Sequence, residues 1–191
     1  MEIENDGTGA QSAVVDLVNG LNAAMGAGTY AVVPDPATGT GSDEIKVAMI
    51  YKPGSVDPVG NLAILDNTVN STYTDTCNRP TWAQTFQSKA NGGRFTAVMM
   101  HLKSKGSACS ATGDTDTGDG QGSGYIARRN AATAIVKWLV PPRLLTPIDT
   151  DSGSFFKRLI RSATLRIGES ALTVSVRSEE HTSELQSRFG I

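Results

Sequence analysis

His101 is the residue whose type and position best suit acid–base chemistry. It follows an apolar run, residues 95–100, and stands just before two lysines, Lys103 and Lys105. An imidazole at the edge of a sheet beside two ammonium groups is suited to proton transfer next to phosphate. The alternative is a core histidine bonded to a backbone carbonyl, and spacing alone favours that alternative.

Glu2 and Arg79 are candidates for contacting a cation and an anion. Glu2 lies at the end of a predicted strand, from which a carboxylate can hold a divalent cation at the mouth of a sheet. Arg79 opens another strand, and its planar guanidinium can clamp two phosphate oxygens. Either residue alone is weak support, because a strand-end glutamate is usually only solvated.

Two glycine-rich loops are candidate ligand sites. The segment 114–120 carries Asp114, Asp116 and Asp119 and resembles the start of a calcium loop, but its glycine comes one place early and no glutamate closes it. A plain solvated turn is the alternative. Residues 39–41 and 118–122 lack the Lys-Ser/Thr of a phosphate loop, so loop flexibility is the better interpretation.

Composition restricts the classes of protein. The 191 residues are 39% hydrophobic and 19% charged, which is typical of a globular chain with one domain of ordinary size. The net charge of −2 gives no overall basic field, so any phosphate contact must be local. The two cysteines leave open a single bridge or two free thiols. No apolar run approaches the roughly 20 residues that cross a bilayer, so we expect no membrane span.

The apolar spacing predicts alternating helices and strands. The first helix has one apolar face at i, i+3, i+4 and i+7 spacing, and Asn91-Gly-Gly93 is a strong hairpin signal between two antiparallel strands. These elements predict a layered α/β sandwich. They are a helix over residues 12–27, strands over 29–33, 44–51, 81–87 and 94–102, and a helix over 126–139.

The two ends differ from the rest of the sequence. Residues 177–187 match the translation of a short-read sequencing adapter, so 177–191 are interpreted as adapter and scar, and His181 is discounted as a ligand. Residues 141–176 change to a basic-apolar composition and are left unassigned, as a chimeric or out-of-frame join. The acidic start, residues 1–7, lacks the pattern of a secretion signal, and we expect it to be internal.

Taken together and in order, five groups of segments resemble bacterial extracellular endonucleases of the endonuclease/exonuclease/phosphatase superfamily. The resemblance covers nearly all of residues 1–140, and the pairing of His-Leu-Lys-Ser-Lys-Gly with Gly-Asp-Gly-Gln-Gly is its most specific part. The segments are residues 2–7 (Glu-Ile-Glu-Asn-Asp-Gly), 48–52 (Ala-Met-Ile-Tyr-Lys), 78–80 with 84–86, 101–106, and 118–122 with Arg128-Arg129.

The resemblance implies a four-layer α/β/β/α sandwich, like that of deoxyribonuclease I, which is incomplete here. It further implies a secreted enzyme that hydrolyses the phosphodiester bonds of DNA with Mg²⁺ or Mn²⁺. By this similarity Glu2 matches the metal-binding glutamate, His101 the catalytic histidine and Arg79 a phosphate-contacting arginine. Calcium in the 114–119 loop is the alternative metal, and the oligomeric state is left open.

Residues 141–191 depart from the family pattern. They contain neither the Gly-Asp-x-Asn nor the Ser-Asp-His segment, and the family cysteine near Gly124 is also missing, so Cys109 has no family partner. We therefore expect an N-terminal fragment that is inactive by itself and that leaves the sheet edge beside the His101 strand exposed. The alternatives are a phosphatase or phospholipase of the same superfamily, and a non-catalytic fragment without function of its own.

Overall fold

The computed structural model describes residues 1–7, 9, 11–139, 163–167 and 170–176. Most of the unassigned segment 141–176, all of segment 177–191 and His181 therefore lie outside the described residues. In chain order the elements are β1 (Glu2–Glu4), α1 (Ala13–Met25), β2 (Ala31–Val32), β3 (Ile45–Val47), β4 (Ile50–Tyr51), β5 (Val56–Leu65), β6 (Arg79–Ser88), β7 (Arg94–His101), α2 (Tyr125–Leu139), β8 (Ala163–Ile167) and β9 (Ser170–Val176).

The largest sheet has the strand order β5-β6-β7-β9-β8. The predicted hairpin is confirmed: β6 and β7 pair antiparallel, with Thr85 opposite Thr96, and their hydroxyl oxygens are 2.9 Å apart. Gly92 has a φ of 70°, and the Ser88 N–H donates to the Gly93 carbonyl over 2.8 Å, closing the turn. Two short sheets, β1-β3 and β2-β4, complete the described strands.

The two faces of the large sheet bury different apolar clusters. Because side chains alternate along a strand, Ala83 and Val98 lie on the face that packs against α2. Trp82 and Phe86 lie on the opposite face, against residues of the two short sheets such as Val47. The described residues thus form an α/β structure in which one sheet is covered on both sides.

The helix bounds agree with the sequence prediction, but the predicted apolar face of α1 is buried only at Val14 and Val18, whereas Leu17 and Met25 are exposed. In α1 the Asp6 carboxylate accepts the Ala13 N–H over 2.8 Å, which satisfies one exposed helix donor, and Gly26 ends the helix. The helix contacts β1 and β2. The α2 stripe is confirmed by the burial of Ala131 and Ile135. Within the described segments, neither helix has the length and apolar character needed to span a bilayer.

The strand predictions were wrong at two points. The expected strand 44–51 is divided into β3 and β4, because β3 pairs with β1 whereas β4 pairs with β2. The ten-residue strand β5 was not predicted, since Pro58, Gly60 and Asn61 interrupt any apolar alternation. It pairs with β6 across a register shift between Val59 and Ala63, the kind of irregularity that lets an edge strand contain such residues.

The expectation of an exposed edge beside β7 was also wrong. Strand β9 pairs with β7 in parallel, from Phe95 opposite Ala171 to Met100 opposite Val176. Strand β8 then pairs antiparallel with β9. A composition change says nothing about backbone hydrogen bonding, because any segment of β-branched and small residues can add to an open edge.

A buried ion pair holds β3 against two loops. Lys46 is fully buried, and its Nζ lies 2.8 Å from Asp35 Oδ2 and donates to the Gly7 carbonyl over 2.9 Å. Removing one partner of such a pair leaves an uncompensated charge in a region of low dielectric constant. Lys46 therefore connects the segment after β1 to the loop after β2.

We predict that Lys46→Met lowers the free energy of unfolding by about 3–5 kcal/mol, because Asp35 is left buried and unpaired. The double variant Lys46→Met/Asp35→Leu should recover most of this loss. Lys89→Met is the matched control, since Lys89 forms an exposed pair with Asp57 and should cost less than about 1 kcal/mol. Urea unfolding measures all three, and equal losses for the two single variants would contradict the assignment.

Candidate functional site

Glu2 is presented by the short β1-β3 sheet. Antiparallel pairing sets Glu2 opposite Val47 and Ile3 opposite Lys46. The Met1 backbone is fixed as well, because its amino group donates to the Ala48 carbonyl over 2.8 Å and its carbonyl accepts the Ala48 N–H. The Glu2 side chain is 36% exposed, so its carboxylate lies at the boundary between the protein and solvent.

His101 lies beside Glu2 at the end of β7. Its Nδ1 is 2.9 Å from Glu2 Oε2, although the two residues are 99 positions apart in the chain, and only 8% of the His101 side chain is exposed. The carboxylate charge favours the tautomer with a proton on Nδ1, although the contact does not have the geometry of a hydrogen bond.

Arg79 is the cross-strand neighbour of His101. The β6-β7 register pairs Arg79, at the start of β6, with His101, at the end of β7. The register shifts between Arg79 and Trp82. Such a shift re-aims a side chain at the end of a strand. The Arg79 Nη2 forms an ion pair with Asp43 Oδ1 over 2.8 Å. The structure thus brings Glu2, Arg79 and His101 to one end of the sheets.

Buried polar groups hold the backbone around Arg79. The Tyr73 hydroxyl donates to the Arg79 carbonyl over 2.5 Å and is 2.9 Å from the Thr81 hydroxyl. Burial raises the pKa of the Tyr73 phenol well above its ordinary range, with smaller contributions from nearby groups, so the hydroxyl stays protonated and can donate.

Asn78 connects this strand start to the loop after His101. Its side chain is fully buried, donates to the Thr74 carbonyl over 2.9 Å and accepts the Lys103 N–H over 2.9 Å. The loop after His101 is therefore tied to the start of β6 through one amide. Polar groups buried in this way are costly to remove because their partners lose a hydrogen bond.

Arg128 joins the two loops that carry the most specific sequence motifs. From α2 its guanidinium donates to the Ser104 carbonyl over 3.2 Å and to the Ser123 carbonyl over 2.6 Å. The Ser123 N–H in turn donates to the Lys105 carbonyl over 3.0 Å. One planar donor group with several N–H bonds thus fixes both loops at once.

Gly122, at the end of the second motif, and Gly124, two residues after it, have a steric role that flexibility alone does not describe. Gly122 and Gly124 have φ values of 67° and 71°, in the region that favours glycine. A Cβ at Gly122 would lie 2.8 Å from the Lys105 Cβ, and one at Gly124 would lie 2.8 Å from the Lys103 Cγ. The two motif loops can pack together only because these positions lack side chains.

A disulfide between Cys77 and Cys109 lies next to this network. The sequence had left open a bridge or two free thiols. Both sulfur-bearing residues pack with Ala127 of α2, and Cys77 directly precedes Asn78. The bridge therefore fixes the segment that positions Asn78 and, through it, the loop after His101.

The carboxylates of the acidic loop are engaged in local hydrogen bonds. Asp114 bonds the Thr112 hydroxyl and accepts the Ile126 N–H over 2.6 Å, at the start of α2. Partial burial raises the pKa of Asp114, but these hydrogen bonds and the Arg128 charge outweigh it, and the pKa lies below its ordinary value. Asp116 and Asp119 accept backbone N–H groups within their own turns. Calcium binding here stays a prediction.

The metal ligands expected at Glu2 are incomplete in the part of the chain that is described. Those residues contain no group of three His, Cys, Asp or Glu side chains that could hold a metal ion. Glu2 is close to His101, and the nearby carboxylate of Asp43 is engaged by Arg79. Magnesium needs near-octahedral oxygen ligands, so the described residues alone do not form such a site.

The sequence identified three members of the site but missed the residues that position them. Asp43, Tyr73 and Asn78 have no periodic or motif signal, because their roles depend on partners far along the chain. Only Asn78 had an indirect signal, since it precedes Arg79 in a segment of the family resemblance.

Comparison of the chain with protein-family models, curated proteins and solved structures gives no significant match.

We predict that Glu2→Gln shifts neutral His101 from the Nδ1–H tautomer toward the Nε2–H tautomer, since an uncharged amide accepts less strongly than a carboxylate. The tautomer ratio should change by roughly three- to tenfold. Ring ¹⁵N chemical shifts measure the ratio, and the chain has only two histidines to distinguish. Glu4→Gln, two residues along the same strand, is the control; an equal effect would show that Glu2 has no specific role.

The disulfide provides a stability test. Because the bridge closes a loop with a sequence separation of 32, the double variant Cys77→Ala/Cys109→Ala should unfold with about 3–4 kcal/mol less free energy. Limited proteolysis should then cut within residues 102–113 before other described loops. A change below about 1 kcal/mol, with no new cleavage, would mean that the bridge does not hold these loops.

Proposed function

We propose that this chain carries part of the active site of a secreted nuclease that hydrolyses phosphodiester bonds in DNA. The observation that carries the proposal is the convergence of Glu2, Arg79 and His101 at one end of the sheets. The sequence resemblance assigns a separate role in phosphodiester hydrolysis to each of these three residues. A carboxylate, a guanidinium and an imidazole in one place form a set suited to phosphate chemistry.

In this proposal His101 transfers the proton. Glu2 Oε2 lies 2.9 Å from Nδ1, and its negative charge favours the tautomer with the proton on that atom. Nε2 is then the atom that takes a proton from the attacking water or gives one to the leaving oxygen. Arg79 stabilises the charge that develops on the non-bridging phosphate oxygens.

The low net charge by itself argues mildly against DNA binding, so the proposal requires a local phosphate contact. At −2 the chain has no overall attraction for nucleic acid, so recognition would depend on a few cations near the site. Lys103 belongs to the loop that follows His101, and its Nζ donates to the Ser107 hydroxyl over 2.8 Å. In this proposal Lys103 is one of these cations and contacts the DNA backbone.

The finer fold and the compartment are also proposals. What supports a four-layer α/β/β/α sandwich of the deoxyribonuclease I type is the packing of α2 on one face of the large sheet, the short sheets on the other, and α1 against β1 and β2. What supports secretion is the disulfide, because such bonds persist in oxidising compartments.

The requirement for Mg²⁺ or Mn²⁺ rests on the sequence resemblance alone. Among the described residues, Glu2 is the single one that matches a metal ligand of the family. The motifs Gly-Asp-x-Asn and Ser-Asp-His do not occur in residues 141–191. Because residues that act as a unit lose most of their effect when one is missing, we expect residues 1–191 alone to cleave DNA near the background rate.

Nicking of supercoiled plasmid in Mg²⁺ or Mn²⁺ tests the proposal. The chain itself should be nearly inactive, and fusion of a family C-terminal half after Leu139 should restore nicking. His101→Ala in that fusion should lower the rate by about 10²- to 10⁴-fold. Lys89→Ala, on a remote exposed pair, is the control and should leave the rate unchanged.

Each other result has a definite meaning. Nicking by the unmodified chain that His101→Ala lowers would show that the expectation of inactivity is wrong. An active fusion that is indifferent to His101→Ala would remove His101 from the mechanism. A folded but inactive fusion would favour the non-catalytic alternative, and cleavage of phosphomonoesters in place of plasmid would favour the phosphatase.

A further inference from the structure

We infer that Asp43 and Asn5 are positioning residues for Arg79. Glu2 contacts His101 directly, whereas Asn5, three residues later, holds the loop whose Asp43 contacts Arg79. The short segment 2–5 thereby contacts His101 at one residue and holds the loop that contacts Arg79 at another. The inference rests on the proposed function in assigning phosphate binding to Arg79, but the contacts themselves do not depend on it.

The Arg79 side chain needs a partner at its tip. Asp43 Oδ1 holds Nη2 at 2.8 Å, and the Arg79 side chain is 18% exposed. Nε is buried and has no hydrogen-bond partner among the described residues. Asp43 therefore uses one end of the guanidinium and leaves other N–H donors for an oxyanion. Fixing a long side chain beforehand reduces the entropy lost when it binds a ligand.

Asp43 is itself held in place. Its Oδ1 accepts the Ile45 N–H over 3.3 Å, which sets the carboxylate relative to the start of β3. The preceding loop packs on the residue next to Arg79: a Cβ at Gly41, where φ is 88°, would lie 3.2 Å from Pro80 Cδ. The loop 40–43 thus lies directly against the start of β6.

The side-chain amide of Asn5 holds the loop 40–43 in place. Its Nδ2 donates to the Asp43 carbonyl over 2.8 Å and to the Gly41 carbonyl over 3.1 Å. Its Oδ1 accepts the Thr40 hydroxyl over 2.6 Å, and its N–H donates to the Glu44 carbonyl over 2.7 Å. A side-chain amide with both donors and its acceptor in use fixes a loop as a backbone ladder would.

The test measures rotation of the Arg79 guanidinium by ¹⁵N NMR in the full chain, with Arg79→Lys to assign its signals. Asp43→Asn should speed rotation about the Cζ–Nη2 bond by about tenfold, the factor expected for loss of a charge-assisted hydrogen bond. Asn5→Ala should speed it in the same direction by a smaller factor. Asp57→Asn, the same change in the remote pair with Lys89, is the matched control and should have no effect.

Two results would overturn the inference. Unchanged rotation in Asp43→Asn would show that Asp43 does not position Arg79. The variant should fold, because the Asp43 side chain is half exposed and lies outside the core. For Asn5→Ala the His101 tautomer ratio is read in the same sample. Faster rotation with an unchanged ratio supports the role of Asn5, whereas no change in rotation, or a change in both signals, overturns it. This readout does not involve DNA cleavage, so its failure and a failure of the nuclease proposal are distinguishable.

Discussion

The pairing of β6 with β7 is the constraint on which the rest of the described structure depends. Its register sets Arg79 opposite His101 at one end and closes through the Asn91-Gly-Gly93 turn at the other. The same register fixes which side chains reach each face of the sheet, so a slip by one residue would exchange the two apolar clusters. Site and core are thus products of one hydrogen-bonded ladder.

The second constraint is the satisfaction of buried polar groups. Lys46, Asn78 and Tyr73 are almost without exposure. Lys46 and Asn78 reach loops, and Tyr73, which is itself in a loop, reaches the start of β6. Hydrogen bonds of this kind contribute little net stability when made but cost considerably when left unmade. These buried groups therefore select one conformation for loops that lack apolar contacts, because only that conformation pairs all of them.

Around His101 the protein combines a fixed backbone with charged side chains near the surface. The disulfide, Asn78 and Arg128 hold the loops on one side, while β1 brings Glu2 from the other. Rigid support of this kind is what a site for proton transfer needs, because the positions of donor and acceptor decide its efficiency more than their identities. The supporting groups come from four separate parts of the chain: β1, residues 77–78, Cys109 and α2.

The sequence by itself determined the local elements and the residue types of the site. Periodicity is a local property, so α1, α2 and the β6-β7 hairpin could be predicted from their own residues. The resemblance likewise selected Glu2, Arg79 and His101. The sequence did not determine that Glu2 would lie beside His101. It also did not determine that residues 44–51 would divide between two sheets, or that β5 would form.

Those features were decided by tertiary structure, because each depends on partners that no local pattern encodes. Strand β5 has almost no intrinsic preference and exists because β6 offers it a ladder of hydrogen bonds. Cys77 found Cys109 only because the start of β6 and the loop before α2 meet. No local pattern distinguishes Asp43 from other loop carboxylates. Its position next to the Arg79 guanidinium depends on the contacts of its loop with Asn5 and Pro80.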